Sequence, residues 1–213
     1  MAPKVHNVKQ FPQDMVIVLL YDPKPLEDVS IDAIRNQTSF DVISYIAEQG
    51  VIPFKSTKTA VQGSFQTTRL EFIDKNRTPF EHRDTKVFKN LLNSLPRLSV
   101  KAIGINLFLN IKLEESRNAG QYIRDNFLKN GSTFEEKLGS PIFANSIRLF
   151  YGKMDNHFDL RLTPLQLEGD ELNMQLHYHR DIHIVDTQKL ISTARNFLKE
   201  EKQELKKLVK ILF

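Results

Sequence analysis

The chain has 213 residues, of which 40% are hydrophobic and 26% charged, with a net charge of +4 and no cysteine. Lack of cysteine excludes a disulfide framework, a thiolate zinc site, an iron–sulfur cluster and a cysteine nucleophile, and it fits a reducing, cytoplasmic setting. The composition is that of a folded protein of one large unit or two small ones. Residues 15–21 form the longest apolar run, far short of the ~20 residues that span a bilayer, so no membrane span is expected.

Residues 15–21 read as a buried central strand. Ser30 is placed to cap a short helical turn and Ser39 the next, whose apolar face would be Val42, Ile43, Ile46 and Ala47, with Gly50 as its left-handed stop. Residues 51–60 read as a strand interrupted at Pro53, which belongs at an edge or a bulge because proline has no N–H to give. Residues 63–74 read as one further strand. Asp84 is the expected N-cap of a helix carrying Val87, Phe88, Leu91, Leu92 and Leu95, closed by Pro96.

The clearest element follows. Ile103, Ile105, Leu107, Leu109, Ile111 and Leu113 alternate with Ala102, Gly104, Asn106, Phe108, Asn110 and Lys112. Period two over such a length predicts a long strand with one face on a core, since an amphipathic helix repeats every 3.6 residues. Ala119, Tyr122, Ile123, Phe127 and Leu128 predict a helix stopped by Gly131, and Ser132 to Glu135 has the spacing of a capping box. Residues 141–153, 157–167 and 171–184 predict three antiparallel strands, turning at 155–156 and 168–170, with one face wet. A long amphipathic helix from Thr187, capped by Asp186, carries Leu190, Ile191, Ala194, Phe197, Leu198, Leu205, Leu208, Val209 and Leu212 on its apolar stripe.

Strands that come in runs, not in alternation with helices, predict an α+β fold with a mainly antiparallel sheet and a long C-terminal helix. Residues 1–96 and 97–213 echo each other in element order and are expected to be two loosely similar modules or one continuous domain, although no residue-level repeat links them.

His177, His179, Asp181 and His183 fall on one face of a strand, ~7 Å apart in succession. Imidazoles with a carboxylate in that pattern can share a metal ion, although the wet face of a strand carries polar residues in any case. Glu71, Asp74, Lys75, Glu81, His82 and Asp84 gather around the loop at 77–79, where spaced acids can hold a divalent ion and where a charged turn is equally ordinary. Glycine-rich phosphate loops, nucleophile elbows and RNA-recognition aromatic strand motifs are missing, so no cofactor is expected.

From Thr187 onward the chain has seven Lys or Arg and three Glu, a balance of +4 that equals the net charge of the whole chain. A basic helix permits nucleic-acid binding, but Glu200, Glu201 and Glu204 are interleaved with the lysines. The chain closes on apolar residues, so Phe197, Leu205, Leu208, Val209, Leu212 and Phe213 are the expected interaction surface for a protein partner or a second copy. The expected function is therefore a non-enzymatic binding or assembly module working through its sheet face or its terminal helix. The competing expectations are a small-ligand binder with an apolar cavity between sheet and helix, and a metal-dependent hydrolase or nuclease.

Overall fold

A computed structural model describes residues 8–83, 85–114, 118–128, 131–140, 145–153 and 156–213, with backbone only at 131–134. The elements in chain order are β1 (Val8–Tyr21), α1 (Ile31–Gln37), β2 (Val42–Ile43), β3 (Val51–Lys55), β4 (Val61–Gln66), β5 (Arg69–Asp74), α2 (Lys86–Ser94), β6 (Val100–Leu113), α3 (Ala119–Phe127), α4 (Gly131–Leu138), β7 (Ile147–Lys153), β8 (Asn156–Pro164), β9 (Glu171–Ile184) and α5 (Thr187–Leu212). Short 3-10 turns lie at Leu26–Asp28, Ala47–Gln49 and Phe80–His82.

The strands form one antiparallel sheet in the order β2-β3-β4-β5-β1-β6-β9-β8-β7. The fold is α+β, as the runs of strands predict. The two longest pairings join β1 to β6 and β6 to β9. From β1 the chain passes through a helix and the meander β3–β4–β5, which returns to the free edge of β1. From β6 it passes through helices and the meander β7–β8–β9, which returns to the free edge of β6. Each meander is followed by a helix, α2 in the first case and α5 in the second.

The alternation in β6 is realised as read: Ile103, Ile105, Leu107, Leu109, Ile111 and Leu113 are buried in the core. Opposite them lie Met15, Ile17 and Leu19 of β1 and Leu172, Met174, Leu176 and Tyr178 of β9, on the same inner face. Full burial contributes roughly 1.5–3 kcal/mol for each large apolar side chain, so this inner layer is the main stabilising term of the fold.

Several expectations are corrected by tertiary contacts. β1 starts at Val8, before the apolar run, because a register shift between Pro12 and Met15 lets it pair with β6 on both sides of the proline. Val42 and Ile43, expected on a helix, instead form β2 beside Lys55 and Phe54, and the helical geometry shrinks to a 3-10 turn that Gly50 closes at φ 58°. The pairing is held in place at Asp41, whose N–H donates to the Lys55 carbonyl and whose carboxylate accepts the Thr57 N–H. The single strand expected at 63–74 is a hairpin, β4 and β5, reversing at Thr67 and Thr68. Those threonines are not turn residues by type. Their carbonyls accept N–H groups from Lys24 and Tyr21, so contact with β1 and its following loop supports the reversal. Gly63 is required inside this hairpin: a Cβ there would sit 2.0 Å from the Glu71 carbonyl oxygen.

Pro53 lies in β3, flanked outward only by the two-residue β2, and its carbonyl accepts the Ser44 N–H at 3.4 Å. Gly131, expected to end a helix, is the first residue of α4. The Asp84 cap, the capping-box side chains at 132–134, the first part of the strand expected at 141–153 and Asp155 of its turn lie outside the described residues or side chains. Ser30 and Asp186 cap as expected, accepting the N–H groups of Ala33 at 3.1 Å and Lys189 at 2.7 Å.

Candidate functional site

Every fully buried large apolar side chain of the strands lies on the inner face, which α5 covers along β6 and β9. The outer face carries Val16, Val18 and Leu20 of β1 beside Arg69, Glu71 and Ile73 of β5, then Asn106, Phe108 and Asn110 of β6 beside Asn173, Gln175 and His177 of β9. Its large apolar groups stand partly or largely exposed, Leu20 at 41% and Phe150 of β7 at 60%. Amides form ladders across it: Asn173 donates to Asn110 at 2.9 Å, and the His177 ring meets the Asn106 oxygen at 2.8 Å.

Several ions of this face pair with one another. Asp159 of β8 accepts two bonds from Arg148, at 2.8 and 2.9 Å, and one from Arg161 at 3.0 Å. The Arg148 bonds, ahead of the one from Arg161, hold the Asp159 carboxyl down to about 2. Arg69 pairs with Glu71, and Lys112 with Asp170 at 3.4 Å. Arg148 also stacks on Phe150, 4.4 Å from the ring centre.

His177, His179, Asp181 and His183 keep the alternation expected of them, on the outer face of β9. They are strung along the strand. The His177 and His179 rings are 6.3 Å apart, His179 bonds Asp181 at 3.1 Å, and His183 lies toward Asp22 at the strand end. The register of β8 brings His157 to 5.5 Å from His179, a neighbour that spacing along one strand could not reveal. Burial, then the neighbouring His179, pulls the His177 pKa below the usual imidazole value. Gly104 makes room for that ring, since a Cβ there would lie 3.2 Å from its Cε1. Among the described residues no three imidazole or carboxylate groups are grouped so as to hold a metal ion.

The acidic cluster around 77–79 is divided by the fold. Glu71 points to the outer face with Arg69, whereas Asp74 ends β5 on the inner face and accepts the Asn76 N–H at 2.8 Å. Between them the structure shows a group that the sequence did not mark. Arg83 is buried, donates to the carbonyls of Asp74 and Thr78 at 3.0 Å and to that of Gln13, and stacks on Phe80. It ties the loop after β5 to β1.

The expected interaction residues of the terminal helix are seated inside the chain. Phe197, Leu205, Leu208, Val209 and Phe213 are buried and Leu212 packs against the same core. Phe213 stacks on Tyr122 of α3 at 5.4 Å, and the Tyr122 hydroxyl donates to the Leu212 carbonyl. All six pack inward, and Leu205, Val209 and Phe213 keep only a thin exposed edge, on the side toward β1.

The charges of α5 are segregated. Arg195, Lys199, Lys202, Lys206 and Lys210 recur at intervals of four and three and border the hollows on the β1 and α2 side. Glu200 and Glu204 face the other way, where Tyr178 donates to Glu200 at 3.1 Å and Tyr151 to Glu204 at 3.2 Å. Burial, and secondarily Glu200, raises the Tyr178 phenol to about 12. Glu201 falls in the middle of the apolar stripe. It is 0% exposed, and among the described residues neither carboxyl oxygen has a hydrogen-bond partner. Burial raises its pKa well above the ordinary carboxylate value.

No helix among the described residues is long and apolar enough to cross a membrane. Neither a protein-family model nor a curated protein matches the chain. Among solved structures the chain is similar to Methanococcus jannaschii TBP, at 9% identity and a TM-score of 0.39, over 92% of this chain and 99% of that one.

Proposed function

We propose that the protein is a binding and assembly module that holds a protein partner on the face of its sheet that no helix of the described residues covers, and that a second copy of the chain is the occupant this face suits. The observation that carries the reading is the bare outer face of a nine-stranded sheet, where Val16, Val18, Leu20, Ile73 and Phe108 stand in contact with solvent around the central pair β1 and β6. Single exposed apolar residues are ordinary, but a group of them on one unpartnered face marks an interaction surface.

The chemistry of the face suits self-association. Arg69 is paired with Glu71, and Arg148 and Arg161 share Asp159, so most of the arginine charge of the face is met within one copy. Its amides offer donors and acceptors together, so one copy of the surface satisfies another across a two-fold axis. The division into modules at 1–96 and 97–213 belongs to the same proposal: each contributes one of the two central strands.

Light scattering over a concentration series tests it, with wild type compared to a Val18→Arg, Leu20→Arg double variant. Wild type should pass from monomer to dimer as concentration rises, and the double variant should remain monomeric with an unchanged thermal melt. A wild-type monomer throughout, or a dimer that tolerates both arginines, overturns the reading.

A further inference from the structure

The basic flank of α5 overhangs a groove of about 550 Å3, between the C-terminal half of the helix, the first half of β1 and the 3-10 turn at Phe80. Pro12, Phe80, Leu109, Leu205, Val209 and Phe213 make its apolar surface. Val8, Gln10 and Pro12 of β1 form one side, and Pro79, Phe80 and Glu81 of the turn another. An adjoining hollow of about 460 Å3 shares Lys202, Lys206 and Glu81 with it and adds Arg195 and Lys199. Volumes of this size are those of small-ligand sites, roughly 300–1,000 Å3.

Among the described residues Lys199, Lys202, Lys206 and Lys210 enter no ion pair, in contrast to Lys207 on the far side, which bonds Glu204 at 3.3 Å. Lys202 is half-buried, and that burial pulls its ammonium below the usual lysine value against the smaller opposing effect of Glu81. Arg83 is committed to backbone carbonyls, and among the described residues Glu81 is the one acidic side chain that lines either hollow. An apolar trough with cations standing along one rim, one of them partly desolvated, complements a ligand with an alkyl stem and an anionic head. A lysine row over open water would favour no such ligand. The trough beneath the lysines is what makes the difference.

We propose that this groove binds a long-chain monocarboxylate as a monomer from solution, the alkyl chain lying on Phe80, Leu109 and Val209 and the carboxylate meeting Lys202 and Lys206. The site is on the opposite side of the sheet from the face proposed for assembly, so each reading stands or falls by itself.

The test is calorimetric titration of the full chain with dodecanoate below its micelle concentration, beside dodecanol and inorganic phosphate. Dodecanoate should bind once per chain and raise the melting temperature, whereas phosphate alone should not bind. Replacing both cations, Lys202→Gln with Lys206→Gln, should weaken dodecanoate at least about tenfold while leaving the weaker dodecanol binding unchanged. Gln10→Trp, at an exposed strand position that lines the groove, should block both ligands. Val18→Arg on the other face should alter neither. Dodecanoate binding that survives the double glutamine variant, equals that of dodecanol, ignores Gln10→Trp or fails to saturate overturns the proposal.

Discussion

The two flanks of α5 are made from the same helix and end differently. Toward β7 and β9 the edge is closed: Tyr151 and Tyr178 donate to Glu204 and Glu200, and Arg180 stacks on Phe197 at 4.6 Å. Toward β1 and α2 the edge is open, with lysines standing over two hollows. Tyrosines reach from the sheet to the glutamates because their rings add to the apolar layer while their hydroxyls find an acceptor at its margin. Lysines have no counterpart on β1, where Gln10 and Pro12 occupy the facing positions. A helix can thus be fully docked along its stripe and still leave one side available for another molecule.

Four measurements break or sharpen that contrast. The largest effect should come from cutting the chain after Lys199. The lost segment includes Leu205, Leu208, Val209 and Phe213, all buried. At roughly 1.5–3 kcal/mol for each, their loss matches the entire stability of a typical domain, about 5–15 kcal/mol. The shortened chain should show no cooperative thermal transition, and a wild-type-like melt would show that the helix end is not part of the core.

Next is Glu201. Replacing the unpartnered carboxyl by Leu should stabilise the fold by about 2 kcal/mol at neutral pH, read from denaturant midpoints. The sign of its pH dependence is set by the raised pKa. The folded state keeps the proton that the unfolded chain releases at an ordinary 4.5. Stability contributed by this group is therefore full below that value and falls as pH rises toward the folded pKa. Glu201→Gln should flatten the difference, and an unchanged slope between wild type and this variant would place the carboxyl in water.

A smaller contrast separates the flanks directly. Tyr151→Phe on the closed side should lose about 1 kcal/mol, since it leaves Glu204 without its phenol partner. Lys206→Gln on the open side should change stability by less than about 0.5 kcal/mol. Equal losses at both positions would mean that the two edges are equally packed. The smallest effect concerns His177 on the outer face. Its lowered pKa means that the unfolded chain takes up a proton first as pH falls through 6.5, so stability is lost on the acid side down to the folded pKa. His177→Asn should remove that part of the acid-side loss in melts recorded as a function of pH.

Long periodic segments are legible in the residues alone. The period of two in β6 and the 3.6-residue stripe of α5 each recur often enough to allow one reading, and both elements sit where the pattern puts them. The short segments are not. Val42 and Ile43 fit a helix by spacing and form a strand because Phe54 and Lys55 are there to pair with. The hairpin at Thr67 and Thr68 has no glycine or asparagine to announce it and rests on hydrogen bonds from Tyr21 and Lys24. The outer-face alternation of His177 and His179 can be read along one strand, but the approach of His157 depends on the register of β8, which no local pattern encodes.

By itself the sequence determined the class of fold, the long central strand and the terminal helix with its cap. Those are consequences of backbone periodicity, and a periodicity is a property of the chain alone. The tertiary structure decided which side of the sheet stays bare, which edge of the helix closes, that Glu201 is shut away from water and that Arg83 holds three carbonyls. Each of those depends on which distant segment arrives opposite, and burial and hydrogen bonding exist only once both partners are in place.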